Sequence, residues 1–475
     1  MNSNNKKLAL NIFLMFWVYF LPKSLGFLLL PVYTSYLSTE EYGIADVILT
    51  TSCLISPFVS LGMPGAIFRF NIENKDDYRP YRIATSIFVK NVLILILVLC
   101  AVYFLFQIKF LYLFYLFLTI GFSLLSDINI SYLRSLEKMK LVSVCGVGSS
   151  FLTAFCNVLF IVVFNLGLYG FLLSSIVGYA FNYLVSGISI YGYRKKILSV
   201  NKLKDIKILR KEMLQFSFPT IFSGILWWVT SSSDRYFITW MCGSSANGIY
   251  SVAFKIPLII VTIDAIFGAA WLNTLYDTYK TKEGKAYIIK VFNGYSFLLC
   301  FLCSFLIMTN KFLSNLLFSK EFYEAWKYVP ILLISVVLST SSNFLSTLLA
   351  VYKKTKISLN ISIITTLLNV SLNWILISIT RSPLGAALAT CLSFLVTLGL
   401  NYHFSKKISN IDFCCFRIIM MLLLLTLQTY NDTSQVTYLF NIIIVLLIIL
   451  VNIKTLKYFF LLARNCGKNL KVEHS

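Results

Sequence analysis

Two oppositely charged residues, Asp234 and Arg235, are neighbours in an otherwise apolar stretch of the chain, and Lys255 lies in the apolar stretch that follows. A charged side chain at the centre of a bilayer costs about 2.5–3.5 kcal/mol on insertion scales, so such groups face a protein interior or a wet cavity. Arg can hold a phosphate through two parallel hydrogen bonds, whereas Lys acts as a mobile point charge. We therefore expect Arg235 and Lys255 to bind an anionic group within the membrane. Asp234 would hold Arg235 in place or help to release the ligand.

Lys23 and Arg69 are the two other bases that we assign to this site. Lys23 and Lys255 each lie close to a proline, and helices interrupted in this way often line cavities in transporters. A structural interpretation stands beside the functional one. Arg69, at the end of its span, would then serve as a topology anchor, and Asp234 with Arg235 would form a structural pair at a helix kink.

Three acids fall at membrane depth besides Asp234, namely Asp46, Asp127 and Asp264. A transporter driven by a proton or cation gradient needs an acid that titrates during its cycle, so these three are the candidates for ion coupling. Cys300 and Cys303 have the spacing of half a metal site, but they lie within one apolar run and no second pair follows. The sequence therefore predicts no metal and no cofactor.

The composition predicts the surroundings of these residues. Hydrophobic residues make up 58% of the chain and charged residues 13%, a balance far from that of soluble proteins. Apolar runs of about 20 residues recur along the chain, long enough to cross a hydrocarbon core of roughly 30 Å. We expect an all-α polytopic membrane protein with about 14 transmembrane helices, with 12 as the alternative because the last pair is the least patterned. The spans are expected near residues 8–33, 42–66, 83–106, 111–133, 141–164, 168–192, 213–240, 247–272, 288–308, 328–351, 357–378, 383–404, 413–430 and 436–458.

The net charge of +22 is unevenly distributed along the chain. Of the 41 basic residues, 32 fall at the two ends or in alternate loops, whereas five fall in the opposite loops. Because cytoplasmic loops carry an excess of Lys and Arg, this ratio places both termini in the cytoplasm and requires an even number of spans. It also argues against binding of nucleic acid. The eleven cysteines lie almost entirely in apolar runs and indicate no disulfide framework.

An internal repeat divides the first twelve spans. Asn157 and Asn373 lie in matching segments at an offset of 216, and Gly43 matches Gly248 at an offset of 205. Since each half has an even number of spans, the repeat is parallel, as in transporters that rock around a midplane site. We expect two pseudo-symmetric six-helix bundles and an extra C-terminal helix pair. The predicted domains are a bundle at 1–193, a basic cytoplasmic linker at 194–212, a second bundle at 213–405 and the extra pair with a tail at 406–475.

The predicted linker is basic and amphipathic. Eight Lys or Arg residues lie between Arg194 and Lys211, with apolar residues such as Ile206 and Leu209 between them. Such a sequence suits a helix that lies on an anionic leaflet. It equally suits a loop that only fixes the topology.

Several of these segments resemble the polysaccharide-type members of the multidrug/oligosaccharidyl-lipid/polysaccharide exporter superfamily. The resemblance covers spans one to twelve and includes the end of the first helix, the second helix, and the signature of helices seven and eight. The similar segments are residues 30–37 (LPVYTSYL) with 41–43 (EYG), 62–63 (GM) with 69–70 (RF), and 233–236 (SDRY) with 248–255 (GIYSVAFK).

The resemblance implies an O-antigen flippase of the Wzx type, with two six-helix bundles that form a V around a cavity open alternately to the cytoplasm and the periplasm. The implied substrate is an undecaprenyl-pyrophosphate-linked oligosaccharide repeat unit, flipped to the outer leaflet of the bacterial inner membrane during lipopolysaccharide biosynthesis. A polysaccharide polymerase and a chain-length regulator are the implied protein partners. Murein-precursor flippases of the superfamily carry arginines in helix one. This chain has no Arg before Arg69, which disfavours that branch.

Other classes of function make different demands on the sequence. A membrane-embedded O-antigen polymerase or ligase would be expected to show a long outer loop with catalytic groups, yet the longest outer segment, 309–327, contains no His. Because no nucleophile–base arrangement or glycine-rich phosphate loop is present either, we predict that the chain is not an enzyme. A drug/cation antiporter of the same fold would be expected to have an acidic cavity, whereas the bases within the spans favour an anionic ligand. A structural scaffold would not explain the costly buried charges.

Overall fold

The structure, a computed structural model, describes residues 20–72, 77–197, 203–279, 281–413, 415–434, 438–453 and 456–457. Over these residues all regular secondary structure is helical, which confirms the all-α polytopic fold. Within the described part of the chain, nine helices are long and apolar enough to cross a membrane, and a bent pair of helices gives a tenth span if counted as one. Fourteen spans stay a prediction, because the apolar helices at 416–431 and 439–451 are short and part of the first predicted span lies outside the described residues.

The chain divides into two compact units, residues 1–239 with 243–248, and residues 240–242 with 249–475. The domains predicted from the repeat, with a linker at 194–212, stay a prediction. The helices up to the end of the first unit are α1 (residues 20–28), α2 (Leu30–Tyr36), α3 (Thr39–Ser60), α4 (Met63–Asn71), α5 (Arg79–Phe106), α6 (Phe110–Ser135), α7 (Met139–Asn157) with a π-helical turn (Val158–Val163), α8 (Gly167–Ile197) and α9 (Leu203–Cys242).

The remaining helices belong mainly to the second unit. Helix α14 is its central element, since most of its residues are buried. It packs against α11, α12, α15, α16 and α17. The helices are α10 (Ser244–Ala253), α11 (Leu258–Thr278), α12 (Lys282–Met308), α13 (Asn310–Leu317) with a 3-10 turn (Lys320–Lys327), α14 (Val329–Val351), α15 (Thr355–Thr380), α16 (Pro383–Ser409), α17 (Cys415–Ser434) and α18 (Tyr438–Val451).

The second predicted span, at 42–66, is wrong as a single helix. Helix α3 ends at Ser60, and Leu61 and Gly62 then adopt left-handed conformations with φ of 47° and 64°. Pro64 supplies the N-terminal turn of α4, where a missing N–H costs nothing. The left-handed pair therefore separates α3 from α4, and the apolar run that continues through it hides the break from a sequence-based assignment.

Helix α9 joins the end of the predicted linker to the seventh predicted span. Its 40 residues measure about 60 Å at 1.5 Å per residue, against roughly 30 Å for a hydrocarbon core. Pro219 lies inside the helix without ending it. Residues 203–212 therefore extend the same helix instead of forming a separate one on the leaflet, while residues 198–202 lie outside the described part.

Helix boundaries follow the predicted repeat. Helices α7 and α15 begin at Met139 and Thr355, and α8 and α16 begin at Gly167 and Pro383. Both comparisons give the same offset of 216 that relates Asn157 to Asn373. Helix α7 packs on α8 in the first unit, as α15 packs on α16 in the second. The offset read from the sequence is thus the offset between equivalent helices.

Buried amides occupy the equivalent positions of the two helix pairs. Ser174 Oγ donates a hydrogen bond of 2.6 Å to Asn157 Oδ1 in the first pair. In the second pair, Asn373 Nδ2 donates to Asn369 Oδ1 at 3.0 Å, and Asn369 Nδ2 lies 3.4 Å from Thr390 Oγ1. A buried amide needs a partner, so each half holds its helix pair together by the same kind of contact.

Candidate functional site

An ion pair between α3 and α9 is the centre of the candidate site in the first unit. Arg235 Nε lies 2.9 Å from Asp46 Oδ2, and the side chains are 15% and 17% exposed, respectively. Removing one partner of a buried pair typically costs about 3–5 kcal/mol, since it leaves an uncompensated charge. The sequence had assigned Asp46 to ion coupling and Arg235 to substrate binding, and the structure shows that they are direct partners.

Asp234 shapes the helix turn that carries Arg235. The Asp234 side chain is 6% exposed, and its Oδ1 accepts a hydrogen bond of 2.9 Å from the Arg235 backbone N–H. Arg235 Nη1 lies 3.4 Å from Ser232 Oγ, on the preceding turn. Short polar side chains compete in this way for the backbone of their own helix. Asp234 thus contacts the backbone of Arg235, while the guanidinium reaches Asp46.

Two further contacts fix α3 against α9 one turn beyond Asp46. The Thr51 and Tyr236 hydroxyls lie 2.6 Å apart, and Trp228 Nε1 donates to the Thr50 carbonyl at 3.1 Å. The rings of Trp228 and Tyr236 meet edge to face, with centroids 5.5 Å apart. The ion pair is therefore held in a frame of hydrogen bonds and aromatic contacts.

A close backbone crossing positions the start of α3 against the start of α10. A β-carbon on Gly43 would overlap the Ser244 carbonyl oxygen and lie 2.9 Å from the Gly248 nitrogen. Conversely, a β-carbon on Gly248 would overlap the Thr39 carbonyl oxygen and lie 3.1 Å from the Gly43 nitrogen. Asn247 Nδ2 donates to the Gly43 carbonyl at 3.1 Å. Small residues allow helices to approach this closely, so the two matched glycines of the repeat are each other's contact.

Lys255 lies in the second unit, at a break in the eighth predicted span. The axes of α10 and the first part of α11 differ by 51° across residues 254–257. Pro257 precedes α11 and has no N–H to continue the hydrogen-bond ladder from α10. The Lys255 side chain is half-buried there, and its assignment to substrate binding stays a prediction.

Asp264 lies in an aromatic cluster of the second unit. The Tyr295 hydroxyl donates a hydrogen bond to Asp264 Oδ1. The Tyr295 ring stacks on Phe267 with centroids 4.2 Å apart, and Trp271 stacks on Phe344 at 4.9 Å. This acid is thus fixed by a phenol within a set of nearly parallel rings.

The remaining candidates are more exposed. Asp127, on α6, is exposed and interacts electrostatically with Arg134, two turns further along the helix. Arg69 is exposed in the last turn of α4, which is the position expected of a topology anchor. Lys23 is exposed on α1. Their assignments to substrate and ion binding stay predictions.

The structure therefore brings Asp46, Asp234 and Arg235 together and places Lys255 and Asp264 in the other unit. Asp46 and Arg235 are far apart in the chain, with five helices between the two that carry them, and no local pattern in a single sequence pairs them. Among the described residues, no group of three His, Cys, Asp or Glu side chains could hold a metal ion.

The fold also occurs among solved structures of other proteins. It resembles the lipid II flippase MurJ in an inward closed conformation, with a TM-score of 0.68 and 16% identity, over 95% of this chain and 99% of that one. The fold also resembles an inward-facing multidrug resistance MATE family transporter of the MOP superfamily, with a TM-score of 0.59 and 14% identity, over 83% of this chain and 94% of that one. A MOP superfamily transporter from Pyrococcus furiosus has a TM-score of 0.56 and 15% identity, over 84% of this chain and 95% of that one. The chain therefore shares the fold of this flippase and these transporters.

The sequence itself shows the family to which the chain belongs. Residues 8–274, more than half of the chain, match the family described as polysaccharide biosynthesis protein. The chain belongs to that family. The family and the solved structures with this fold, which are transporters and a flippase, agree with the prediction that the chain is not an enzyme. No sequence matched among the curated proteins compared with this chain.

Proposed function

We propose that the protein flips undecaprenyl-pyrophosphate-linked O-antigen or polysaccharide repeat units from the cytoplasmic to the periplasmic leaflet of the bacterial inner membrane, by alternating access. Both termini are cytoplasmic in this proposal, and a polymerase and a chain-length regulator are its protein partners. Membership of the polysaccharide biosynthesis family supports a glycan substrate, and the likeness to a lipid II flippase supports one that is linked to lipid.

The position of Lys255 carries the proposal. The diphosphate of such a substrate cannot cross hydrocarbon unaided, so the protein must offer it positive charge at membrane depth. Broken helices in transporters place polar groups at the substrate site, and the break between Ala253 and Leu258 holds a base. A cationic side chain at such a break fits an anionic substrate better than the cationic drug of an antiporter.

The pair of Asp46 and Arg235 offers a means of ion coupling. A coupling cation that binds Asp46 would release the guanidinium, which could then hold phosphate through two parallel hydrogen bonds. Release of that cation would restore the pair and displace the phosphate. Among the three candidate acids, Asp46 is favoured because its Oδ2 lies 2.9 Å from Nε of Arg235, the residue proposed to bind the phosphate.

The test follows the lipid-linked repeat unit in cells that lack this chain. A membrane-impermeant, sugar-modifying reagent on oriented vesicles reports which leaflet holds the unit. We expect the unit to accumulate on the cytoplasmic face, the wild-type chain to restore outward exposure, and Lys255→Gln to fail at normal membrane abundance. Lys282→Gln, at an exposed position of α12, is the matched control and should behave as wild type.

Two outcomes would overturn the proposal. Normal periplasmic exposure of unpolymerised units would indicate a polymerase or ligase. No change in any glycolipid would indicate a drug/cation antiporter. Full transport by Lys255→Gln, with accumulation still seen on deletion, would keep the flippase and remove Lys255 from its site.

A further inference from the structure

A groove runs along one face of α9, across the start of the seventh predicted span. Its volume is about 780 Å³, and its lining residues recur three or four positions apart, so that they form one stripe on the helix. Bases occupy the first part of the stripe and apolar side chains the last. The lining residues are Lys207, Arg210, Lys211, Leu214, Gln215, Phe218 and Pro219.

The cationic end of the groove is open to a ligand. Lys207, Arg210 and Lys211 are all exposed, and within the described part of the chain none of them forms an ion pair with a carboxylate. All three lie within about 6 Å of one another along the helix axis. Three cations this close together match a diphosphate, which carries two charges, better than the single charge of a phosphodiester.

The apolar end of the groove leads into the part of α9 that the sequence predicts as the seventh span. Phe218 is 75% exposed and Phe222, one turn later, is 51% exposed. From Lys211 to Phe218 the stripe advances about 10 Å along the axis. A ligand that fills the groove therefore needs an anionic head and an apolar tail that begins within about 10 Å of it.

We propose that this groove is the loading site at which the diphosphate of a polyisoprenyl-linked sugar docks before it is transported. The proposal rests on the proposed function and names the first contact of the same substrate. The diphosphate lies against Lys207, Arg210 and Lys211, and the first isoprene units lie along Leu214 and Phe218. The Gln215 amide, on the same stripe, can donate hydrogen bonds to the first sugar or accept them from it.

The experiment measures binding directly, without transport. The full chain is reconstituted in nanodiscs of zwitterionic lipid and titrated with farnesyl diphosphate, a short polyisoprenyl diphosphate. Removal of three charges in K207Q/R210Q/K211Q should weaken binding roughly hundredfold. The matched control K353Q/K354Q/K356Q removes three exposed lysines elsewhere and should leave the affinity unchanged.

The apolar half of the groove has its own test. Because Phe218 is exposed, Phe218→Ser should not unfold the protein, and it should weaken farnesyl diphosphate binding roughly tenfold or more. Inorganic pyrophosphate, which lacks a tail, should bind more weakly than farnesyl diphosphate to the wild-type chain, and its own affinity should be the same for the Phe218→Ser variant.

Three results would overturn the loading site. One is equal affinity of the wild type and K207Q/R210Q/K211Q for farnesyl diphosphate. Another is displacement of that probe by equimolar phosphatidylglycerol, which would make the groove a site for bulk anionic lipid. The third is equal loss in the control triple variant. These three results concern binding and do not measure flipping. Outward exposure of repeat units in vesicles measures flipping separately, so failure of the loading site can be distinguished from failure of the proposed function.

Discussion

In the predicted repeat, helix α3 of the first half corresponds to the pair α10 and α11 of the second half, but α3 is continuous and the pair is broken. The two begin at Thr39 and Ser244, the same offset of 205 that relates Gly43 to Gly248, and these glycines meet across the crossing. Helix α3 then runs unbroken for 22 residues, whereas its counterpart bends by 51° after Ala253. At that offset, Thr50 corresponds to Lys255.

The difference shows two ways of keeping a charge at membrane depth. Asp46, on the intact helix, is matched by Arg235 on α9. Lys255 lies instead where the helix is interrupted, and its counterpart Thr50 is neutral. The first arrangement favours stability. In the proposed function, the second gives a ligand access to the base.

Breaking the ion pair should have the largest effect on stability. We expect Arg235→Gln or Asp46→Asn alone to lower the free energy of unfolding by about 3–5 kcal/mol, because each leaves a buried charge uncompensated. The double variant should recover most of the loss, since no charge then remains. Thermal unfolding of the purified protein and membrane abundance measure this. A double variant no more stable than the single variants would show that the charges are not coupled.

Exchanging the corresponding residues of the two copies should come next. Thr50→Lys places a base on the intact helix, one turn from Asp46, and should cost about 2.5–3.5 kcal/mol. Lys255→Thr removes a base from the broken helix, so membrane abundance should stay near that of the wild type while transport falls. The comparison fails if the two variants are equally abundant, or if Lys255→Thr is the less abundant of the two.

Substitution of either glycine at the crossing should lower the free energy of unfolding by a smaller amount, and the loss should be similar at the two positions. Gly43→Ala and Gly248→Ala each press a methyl group into backbone, and overpacking of this kind costs about 1–3 kcal/mol. Gly121→Ala is the control, since no atom beyond its chain neighbours and the backbone of its own helix lies within 4 Å of the added carbon. Melting temperatures of the three purified variants decide it. A loss at only one of the two matched glycines would contradict the reciprocal contact.

The sequence predicted the class of fold and much of the repeat, because membrane spans are long apolar runs and duplicated helices keep their spacing. It also indicated that Arg235 and Lys255 are the unusual residues. It missed the break at Leu61 and Gly62, because apolar residues continue on both sides. Nor did it show that α9 extends back to Leu203. Because the first turns of this helix contain polar residues, the sequence pattern looks like a linker followed by a separate span.

The partner of Arg235 could not be predicted for a different reason. Asp46 and Arg235 are brought together by the packing of α3 on α9, which depends on the hydrogen bonds of Thr51 and Trp228. Those contacts are long-range and leave no period in the sequence. Only the adjacent acid, Asp234, was visible as a partner, and it contacts the backbone of Arg235.

The contact between Gly43 and Gly248 also constrains how the sequences of the two halves can change. Because each glycine fills the space that a side chain on the other would need, neither position can gain a side chain unless the backbone around its partner moves. If the repeat that the sequence predicts arose by duplication, these two positions are expected to change in step or not at all, whereas the rest of each copy can diverge.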